Sequence, residues 1–227
     1  MADCCSGGGC PAYDRQFDER TARRKLADLR KHGPQGTTAD LIDELAAGGI
    51  EGATILEVGA GVGAVHLTLL ERGAVSATDV DASAAYVAAA REEAHRRGVG
   101  DRVRHLTGDF VAAASSLEPA DIVALDRVVC CYGDVTALVS MAARLTRRRL
   151  GLVYPIDRWW TRLGIRAENL WSVARREPFR AYVHPTSIVD RLIRETGLQP
   201  RVVRSGFFWQ LVVYERLGSP DVSVGNG

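Results

Sequence analysis

The feature that most constrains the fold is the stretch ILEVGAGVGAVHLTLLERGAVSATDVD at residues 55–81. It begins with an apolar run typical of a buried strand and passes through a glycine-rich turn into a helix-forming segment. A second apolar run then follows and ends in an acid. This order of strand, turn, helix and strand predicts one unit of a parallel α/β sheet whose glycine turn lies close to a ligand.

The same alternation continues along the chain. Strands are predicted at residues 54–58, 75–79, 103–107, 122–125 and 150–154, and helices at residues 64–71, 83–97 and about 135–145. The last part, RVVRSGFFWQLVVYER, consists of two strand-like runs joined at Ser205 and Gly206. The predicted fold class is therefore α/β, a Rossmann-like doubly wound sheet that is mostly parallel and has an antiparallel C-terminal strand pair.

Length and composition favour one globular domain. The 227 residues are 46% hydrophobic and 25% charged, which is ordinary for such a domain. We predict a flexible leader rich in cysteine and glycine at residues 1–12, a domain at 13–217 and a disordered tail at 218–227. Within the domain, residues 13–52 are predicted to form N-terminal helices and residues 156–184 a helical insertion, because the latter segment is too long for a plain connection.

The chain start and the cysteines bear on location and metal binding. MADCCSGGGC lacks the basic and apolar regions of a secretory signal, and no stretch of 18 apolar residues occurs, so a cytoplasmic location is expected. The five cysteines do not form a disulfide-framework pattern, and no C-x-x-C spacing predicts a metal site. The role of the leader cysteines and the oligomeric state stay open. The five are Cys4, Cys5, Cys10, Cys130 and Cys131.

The glycine turn fits two ligand templates. Gly59, Gly61 and Ala64 satisfy the dinucleotide fingerprint, whereas Gly59, Gly61 and Gly63 satisfy the tighter turn of enzymes that use S-adenosylmethionine (SAM). Glu57 favours the second template, because a carboxylate at the end of the first strand would repel a pyrophosphate. The same carboxylate would attract the ammonium and sulfonium groups of SAM. A nicotinamide-dependent dehydrogenase remains the alternative on this turn.

Further acids follow later strands. Asp81 ends the second strand, Asp109 and Phe110 follow the third, and Asp126 ends the fourth. The carboxyl ends of parallel strands meet at one edge of the sheet, where ligands bind in open α/β folds. The spacing therefore fits one ligand at that edge.

These motifs resemble the core of class I SAM-dependent methyltransferases over residues 53–154. E-V-G-A-G-V-G is similar to their first motif, D-V-D-A-S to their second and G-D-F to their third. The resemblance implies that Glu57 holds the methionine part, Asp81 the ribose hydroxyls, and Asp109 with Phe110 the adenine. The predicted cofactor-binding residues are Glu57, Gly59, Ala60, Gly61, Gly63, Asp81, Asp109, Phe110 and Asp126.

A weaker similarity covers most of the chain. RAYVHP, the insertion before it and the helical N-terminus resemble the magnesium-protoporphyrin O-methyltransferase group, which implies methylation of a carboxylate on a large flat acceptor. Where that group tends to have a histidine after the fourth strand, this chain has Cys130-Cys131-Tyr132. Residues predicted to contact a small apolar acceptor are Arg127, Trp159, Trp160 and Tyr182, and the predicted catalytic residues are His184 and Tyr132. His184 has the alternative role of capping a helix that begins near Thr186.

Two other interpretations stay open at this point. The insertion at 156–184 is a helical cap packed on the sheet, a lid over the acceptor, or a helix that lies in a membrane surface. A nucleic-acid or protein methyltransferase is the alternative function, supported only by basic runs such as RLTRRR at 144–149. No nucleic-acid partner is expected, because the net charge is +1 and the Asn-Pro-Pro-Tyr type of signature is absent after the fourth strand.

Overall fold

A computed structural model describes residues 17–177 and 179–217, and these contain one seven-stranded sheet. Its strand order is β3-β2-β1-β4-β5-β7-β6. The first five strands run parallel, and β7 runs antiparallel to both β5 and β6. The predicted fold class is confirmed. The strands are β1 Thr54–Val58, β2 Ser76–Asp81, β3 Val103–Thr107, β4 Ala120–Asp126, β5 Thr146–Pro155, β6 Leu198–Ser205 and β7 Trp209–Arg216.

The helices follow the predicted alternation and cover both faces of the sheet. They are α1 Glu19–His32, α2 Thr37–Ala46, α3 Ala64–Glu71, α4 Ala84–Arg96, the single turn α5 Phe110–Ala113, α6 Val135–Arg144, α7 Trp159–Ala174 and α8 Thr186–Arg194. The predicted leader and tail, together with residues 13–16, lie outside the described residues.

The core has two apolar layers separated by the sheet. In β4, Val123 and Leu125 belong to one layer, whereas Ile122 and Ala124 belong to the other. All four side chains are fully buried, as expected for a central parallel strand with helices on both faces. This burial leaves the carboxyl ends of the strands as the place where polar side chains meet.

The basic run at 144–149 spans the end of α6 and the start of β5. Strand β5 begins at Thr146, four residues before the predicted start, and Arg149 is completely buried. Its guanidinium donates to the carbonyl oxygens of Leu45, in the last turn of α2, and of Gly48, just beyond that helix. It also pairs with Glu215 at 3.2 Å. A cation in this position complements the negative end of the helix dipole. Arg149 of this basic run therefore has a structural role.

Helix α1 is fastened to α4 by a buried carboxylate. Glu93 of α4 is fully buried and accepts hydrogen bonds from Arg30 of α1 and from Arg96 and Arg97. Burial alone would raise the pKa of Glu93, but the three guanidinium groups outweigh it and lower the pKa to about 2. The network holds α1 beside the carboxyl edge of the sheet.

The insertion after β5 contains α7. Residues 179–185, which we call the return segment, have no regular secondary structure and lead back to α8. Of the α7 side chains, Thr161, Ile165 and Ser172 are buried, whereas Trp159 and Trp171 are mostly exposed. The interpretation in which the tryptophans pack on the sheet is therefore wrong for these two rings. Asn169 exchanges two hydrogen bonds with the backbone of Ala181, at 2.8 and 2.9 Å, and so joins α7 to the return segment.

Candidate active site

A cavity of about 330 Å³ opens at the carboxyl ends of β1, β2 and β4. Its wall includes eight of the nine predicted cofactor-binding residues: Glu57, Gly59, Ala60, Gly61, Asp81, Asp109, Phe110 and Asp126. The ninth, Gly63, caps α3 behind the wall, with a positive φ of 82°. Arg127 and Tyr132 also line the cavity.

The glycine turn is shaped by close packing and positive φ angles. Gly59 has φ of 65°, and a Cβ placed on it would lie 2.6 Å from Cγ2 of Val128. Gly61 has φ of 57°, and its backbone N–H donates to Asp81 at 2.8 Å. A side chain at Gly59 would clash with Val128, which follows β4, and would displace the turn. Glycine therefore allows the backbone of the turn to lie against the cavity.

Glu57 is an almost completely buried carboxylate at the cavity wall. Its Oε2 accepts the backbone N–H of His66 at 2.8 Å and lies 2.6 Å from Nδ1 of the same residue. Burial raises the pKa of Glu57, and the two bonds from His66 oppose that rise. Burial by itself lowers the pKa of His66, but the pairing with Glu57 outweighs it and raises that pKa. His66, which sequence reasoning missed, therefore orients Glu57 and favours its anionic form.

Asp81 keeps hydrogen-bonding capacity on both carboxylate oxygens. Oδ2 accepts the N–H of Gly61 and Oδ1 accepts the N–H of Ser83, both at 2.8 Å, which leaves a second lone pair on each oxygen. Burial raises the pKa of Asp81 to about 7, although the two backbone bonds favour the charged form. Asp79, two residues before Asp81 on β2, is fully buried, and its Oδ2 lies 2.8 Å from His105 Nδ1.

Asp109 and Phe110 lie at the far end of the cavity. Asp109 caps α5 by accepting the N–H of Val111 at 3.2 Å, and the hydroxyl of Tyr132 donates to the same oxygen at 2.8 Å. Phe110 is buried with its ring in the wall. Tyr132 thus orients the residue predicted to meet the adenine, and its assignment as a catalytic residue stays a prediction.

The end of β4 places opposite charges side by side. Thr38 of α2 donates to Asp126 at 2.6 Å, and Arg127 donates to Thr38 at 2.6 Å. Arg127 adopts a left-handed backbone conformation with φ of 59°, and its side chain is 44% exposed. A non-glycine residue in this conformation is strained, and such strain is common at functional sites.

Three further wall residues come from the helices above the sheet. Phe17 and Lys25 belong to the N-terminal part, and Tyr86 belongs to α4. Phe17 and Tyr86 have ring centroids 5.6 Å apart, and the carbonyl oxygen of Phe17 accepts the hydroxyl of Ser83 at 2.7 Å. Burial raises the pKa of Tyr86 to about 12, so its hydroxyl stays protonated. No sequence pattern identifies Lys25 or Tyr86, because both reach the cavity only through tertiary packing.

The other predicted acceptor-side residues lie outside the cavity wall. Nε2 of His184 lies 2.9 Å from the carbonyl oxygen of Tyr132, and burial lowers the pKa of this histidine. Its ring stacks on Tyr182 with a centroid distance of 5.7 Å. His184 does not cap α8, whose N-cap is Pro185. Trp160 stacks on Phe207 at 5.8 Å, and Trp159 is 73% exposed.

Sequence comparison locates a known domain in the chain. The family model for the methyltransferase domain matches residues 55–149, which run from β1 into β5. A search of curated proteins by sequence found no match.

Solved structures with the same fold cover most of the chain. Magnesium protoporphyrin IX methyltransferase from Synechocystis PCC 6803, with bound SAH, is 21% identical over 89% of this chain and 84% of its own, with a TM-score of 0.60. An O-methyltransferase family protein from Burkholderia thailandensis is 19% identical over 90% and 62%, with a TM-score of 0.68. An O-methyltransferase family 2 protein from Planctomyces limnophilus, in complex with apigenin, is 19% identical over 88% and 62%, with a TM-score of 0.63.

The family model places a methyltransferase domain at residues 55–149. The strand order and the edge cavity agree with this match and support a class I SAM-dependent methyltransferase. SAM is its cofactor, and the residues of the cavity fit this group: buried anions for its cations, a two-oxygen acceptor for its diol and an aromatic wall.

We predict that SAM affinity depends on the ionisation of Asp81. Ribose hydroxyls donate to the carboxylate, so the protonated form, which dominates below the pKa of about 7, must lose its proton on binding. The dissociation constant should rise about tenfold per pH unit below 7 and level off above it. Calorimetry between pH 5.5 and 7.5 measures how the dissociation constant changes with pH. This range lies below about 7.7–8.0, where the α-amino group of SAM titrates, so that group does not contribute to the slope.

Asp81→Asn should weaken SAM by about 1.5–3 kcal/mol and remove the slope. Asp101→Asn makes the same chemical change at an exposed position and serves as the control. An unchanged slope in Asp81→Asn would assign the titration to another group, such as Glu57.

Proposed function

We propose that the protein transfers a methyl group to an oxygen, a carboxylate or acidic hydroxyl, of a small apolar or polycyclic acceptor. The observation that carries this proposal is Arg127, a partly exposed guanidinium on the cavity wall that strained backbone and Thr38 hold in place. A guanidinium pairs well with a carboxylate, and Lys25 brings a second cation to the same cavity.

The reaction itself needs little from the protein beyond orientation. The acceptor oxygen attacks the methyl carbon, a carbon–oxygen bond forms, and the sulfonium–methyl bond breaks as its electron pair returns to sulfur. A carboxylate and a sulfonium thus become a neutral ester and a neutral thioether, and no proton moves. Correct placement of the two reactants contributes as much as about 7–11 kcal/mol to such a step.

The lining of the cavity suits an acceptor that is already ionised. Within the described part of the chain no histidine lines it, and the ring of His184 contacts the carbonyl of Tyr132 instead. A protonated phenol or amine would need a base in contact with it. A carboxylate needs none. Transfer to an oxygen agrees with the names of two proteins that share the fold, both called O-methyltransferases.

We propose that residues 156–184 form a lid on the acceptor side. The ring of Phe179 meets that of Phe17, a wall residue, with a centroid distance of 5.7 Å. The N–H of Tyr182 donates to the carbonyl oxygen of Cys130 at 2.8 Å, beside the wall residue Cys131. These contacts connect the return segment to the cavity mouth, where closure would exclude water during the transfer.

We predict that Arg127→Gln lowers kcat/KM for an anionic acceptor about tenfold to a hundredfold. The loss corresponds to a charge-assisted hydrogen bond of about 1.5–3 kcal/mol. Steady-state kinetics with a panel of aromatic and porphyrin carboxylic acids, followed by mass detection of the esters, measures the change.

Arg72→Gln is the matched control, because Arg72 is an ion-paired arginine of nearly equal exposure, 42%, outside the cavity. It should leave kcat/KM unchanged. Turnover of a small amine, with no methylation of any acid or phenol on oxygen, would contradict the proposed acceptor class.

We also predict that kcat stays nearly constant from about pH 6 to 8 when both substrates are saturating. A carboxylate acceptor has a reference pKa of about 4 and is ionised throughout this range. Bound SAM favours the ionised form of Asp81, so the titration of that group does not appear in kcat. His184→Ala should keep the flat profile.

A bell-shaped pH profile of kcat in the wild type, with an acidic limb that is lost in His184→Ala, would contradict this prediction. It would identify His184 as a base and the acceptor as a protonated group.

A further inference from the structure

The outward side of α7 is apolar. The buried residues Thr161, Ile165 and Ser172 recur at spacings of four and seven and define the side that faces the protein. On the opposite side, Trp159, Leu163 and Leu170 recur at similar spacings and are 73%, 59% and 72% exposed. A surface helix of a globular protein normally shows the reverse pattern. We call the exposed residues Trp159, Leu163, Leu170, Trp171 and Val173 the α7 outer face.

Arginines flank the α7 outer face and contact its rings. Residues 157–177 contain five arginines and three acids, so the segment is net positive although Asp157 pairs with Arg162 at 2.6 Å and Glu177 with Arg175 at 3.9 Å. The guanidinium carbon of Arg175 lies 5.2 Å from the ring centroid of Trp171, and that of Arg158 lies 5.9 Å from that of Trp160. Exposed Phe207, which stacks on Trp160, extends the apolar surface beyond the helix. An exposed patch of this kind marks an interaction site.

Charge and position indicate which kind of partner covers the α7 outer face. No member of the α7 outer face lines the cavity, so it is not the acceptor-binding wall. A second copy of the chain would bring another net positive segment against this one, and like charges at close range repel. An anionic bilayer supplies phosphates for the arginines, an interfacial layer for the tryptophan rings and acyl chains for the leucines. No helix in the described ranges is long and apolar enough to cross a bilayer.

We infer that α7 docks the protein on an anionic membrane surface, with the α7 outer face in the interfacial layer and the flanking arginines among the headgroups. This inference does not depend on the identity of the acceptor.

Vesicle sedimentation of the full chain tests the inference. Vesicles of phosphatidylcholine alone are compared with vesicles in which about one third of the lipid is phosphatidylglycerol. The wild type should bind the anionic vesicles, and rising salt should weaken the binding. The double variant Leu163→Gln/Leu170→Gln should lose about tenfold or more of the vesicle affinity, because two apolar side chains no longer leave water.

The matched control is Val75→Gln, which changes a half-exposed aliphatic residue outside α7 and should bind vesicles like the wild type. SAM affinity should be equal in all three proteins, since none of the altered residues lines the cavity, and this equality confirms folding.

Three results would overturn the inference. One is a wild type that binds neither kind of vesicle. Another is a Leu163→Gln/Leu170→Gln variant that binds like the wild type. The third is a wild-type dimer in analytical ultracentrifugation that this variant converts to monomers without any vesicle binding, because a second copy would then cover the surface.

Discussion

The site depends on one buried carboxylate, Glu57, at the carboxyl end of β1. The backbone nitrogen and the ring Nδ1 of His66 both lie within hydrogen-bond distance of Oε2 of Glu57. The carboxylate is therefore held beside the glycine turn although it is buried from solvent. An anion here repels a pyrophosphate and attracts the cationic end of SAM. Because His66 belongs to the first turn of α3, the helix that follows the glycine turn also supplies the partner that keeps the acid in place.

The strand order brings the remaining groups to the same cavity. β1 lies between β2 and β4, so Asp81 and Asp126 lie on either side of Glu57 at one edge. The helices outside the repeated unit then complete the wall: α2 contributes Thr38, which holds Asp126 and Arg127. The hydrogen bonds of Glu93 hold α1 beside the carboxyl edge of the sheet, and Lys25 of this helix lines the cavity. Contacts that stabilise the fold therefore also position charged groups around the cofactor cavity.

The fold could be predicted from the sequence because it depends on local patterns, and the same patterns predict cofactor residues that lie together in the structure. Strand runs, the glycine turn and acids at strand ends lie within short windows, and eight of nine predicted cofactor residues line the cavity. Lys25, His66 and Tyr86 were missed because only tertiary packing brings them to the site. The burial of Arg149 and the outward apolar side of α7 also depend on which neighbours each element meets. Periodicity identifies a helix face but not the direction in which it points.

Calorimetric titration of the wild type with SAM, SAH and NADH at about pH 7.5 tests the central claim most directly, because Asp81 is largely ionised there. The claim is that the acidic edge selects a cationic, phosphate-free nucleoside. SAM and SAH should each bind at one site per chain, and NADH should give no binding heat. Tight NADH binding without SAM binding would contradict the account.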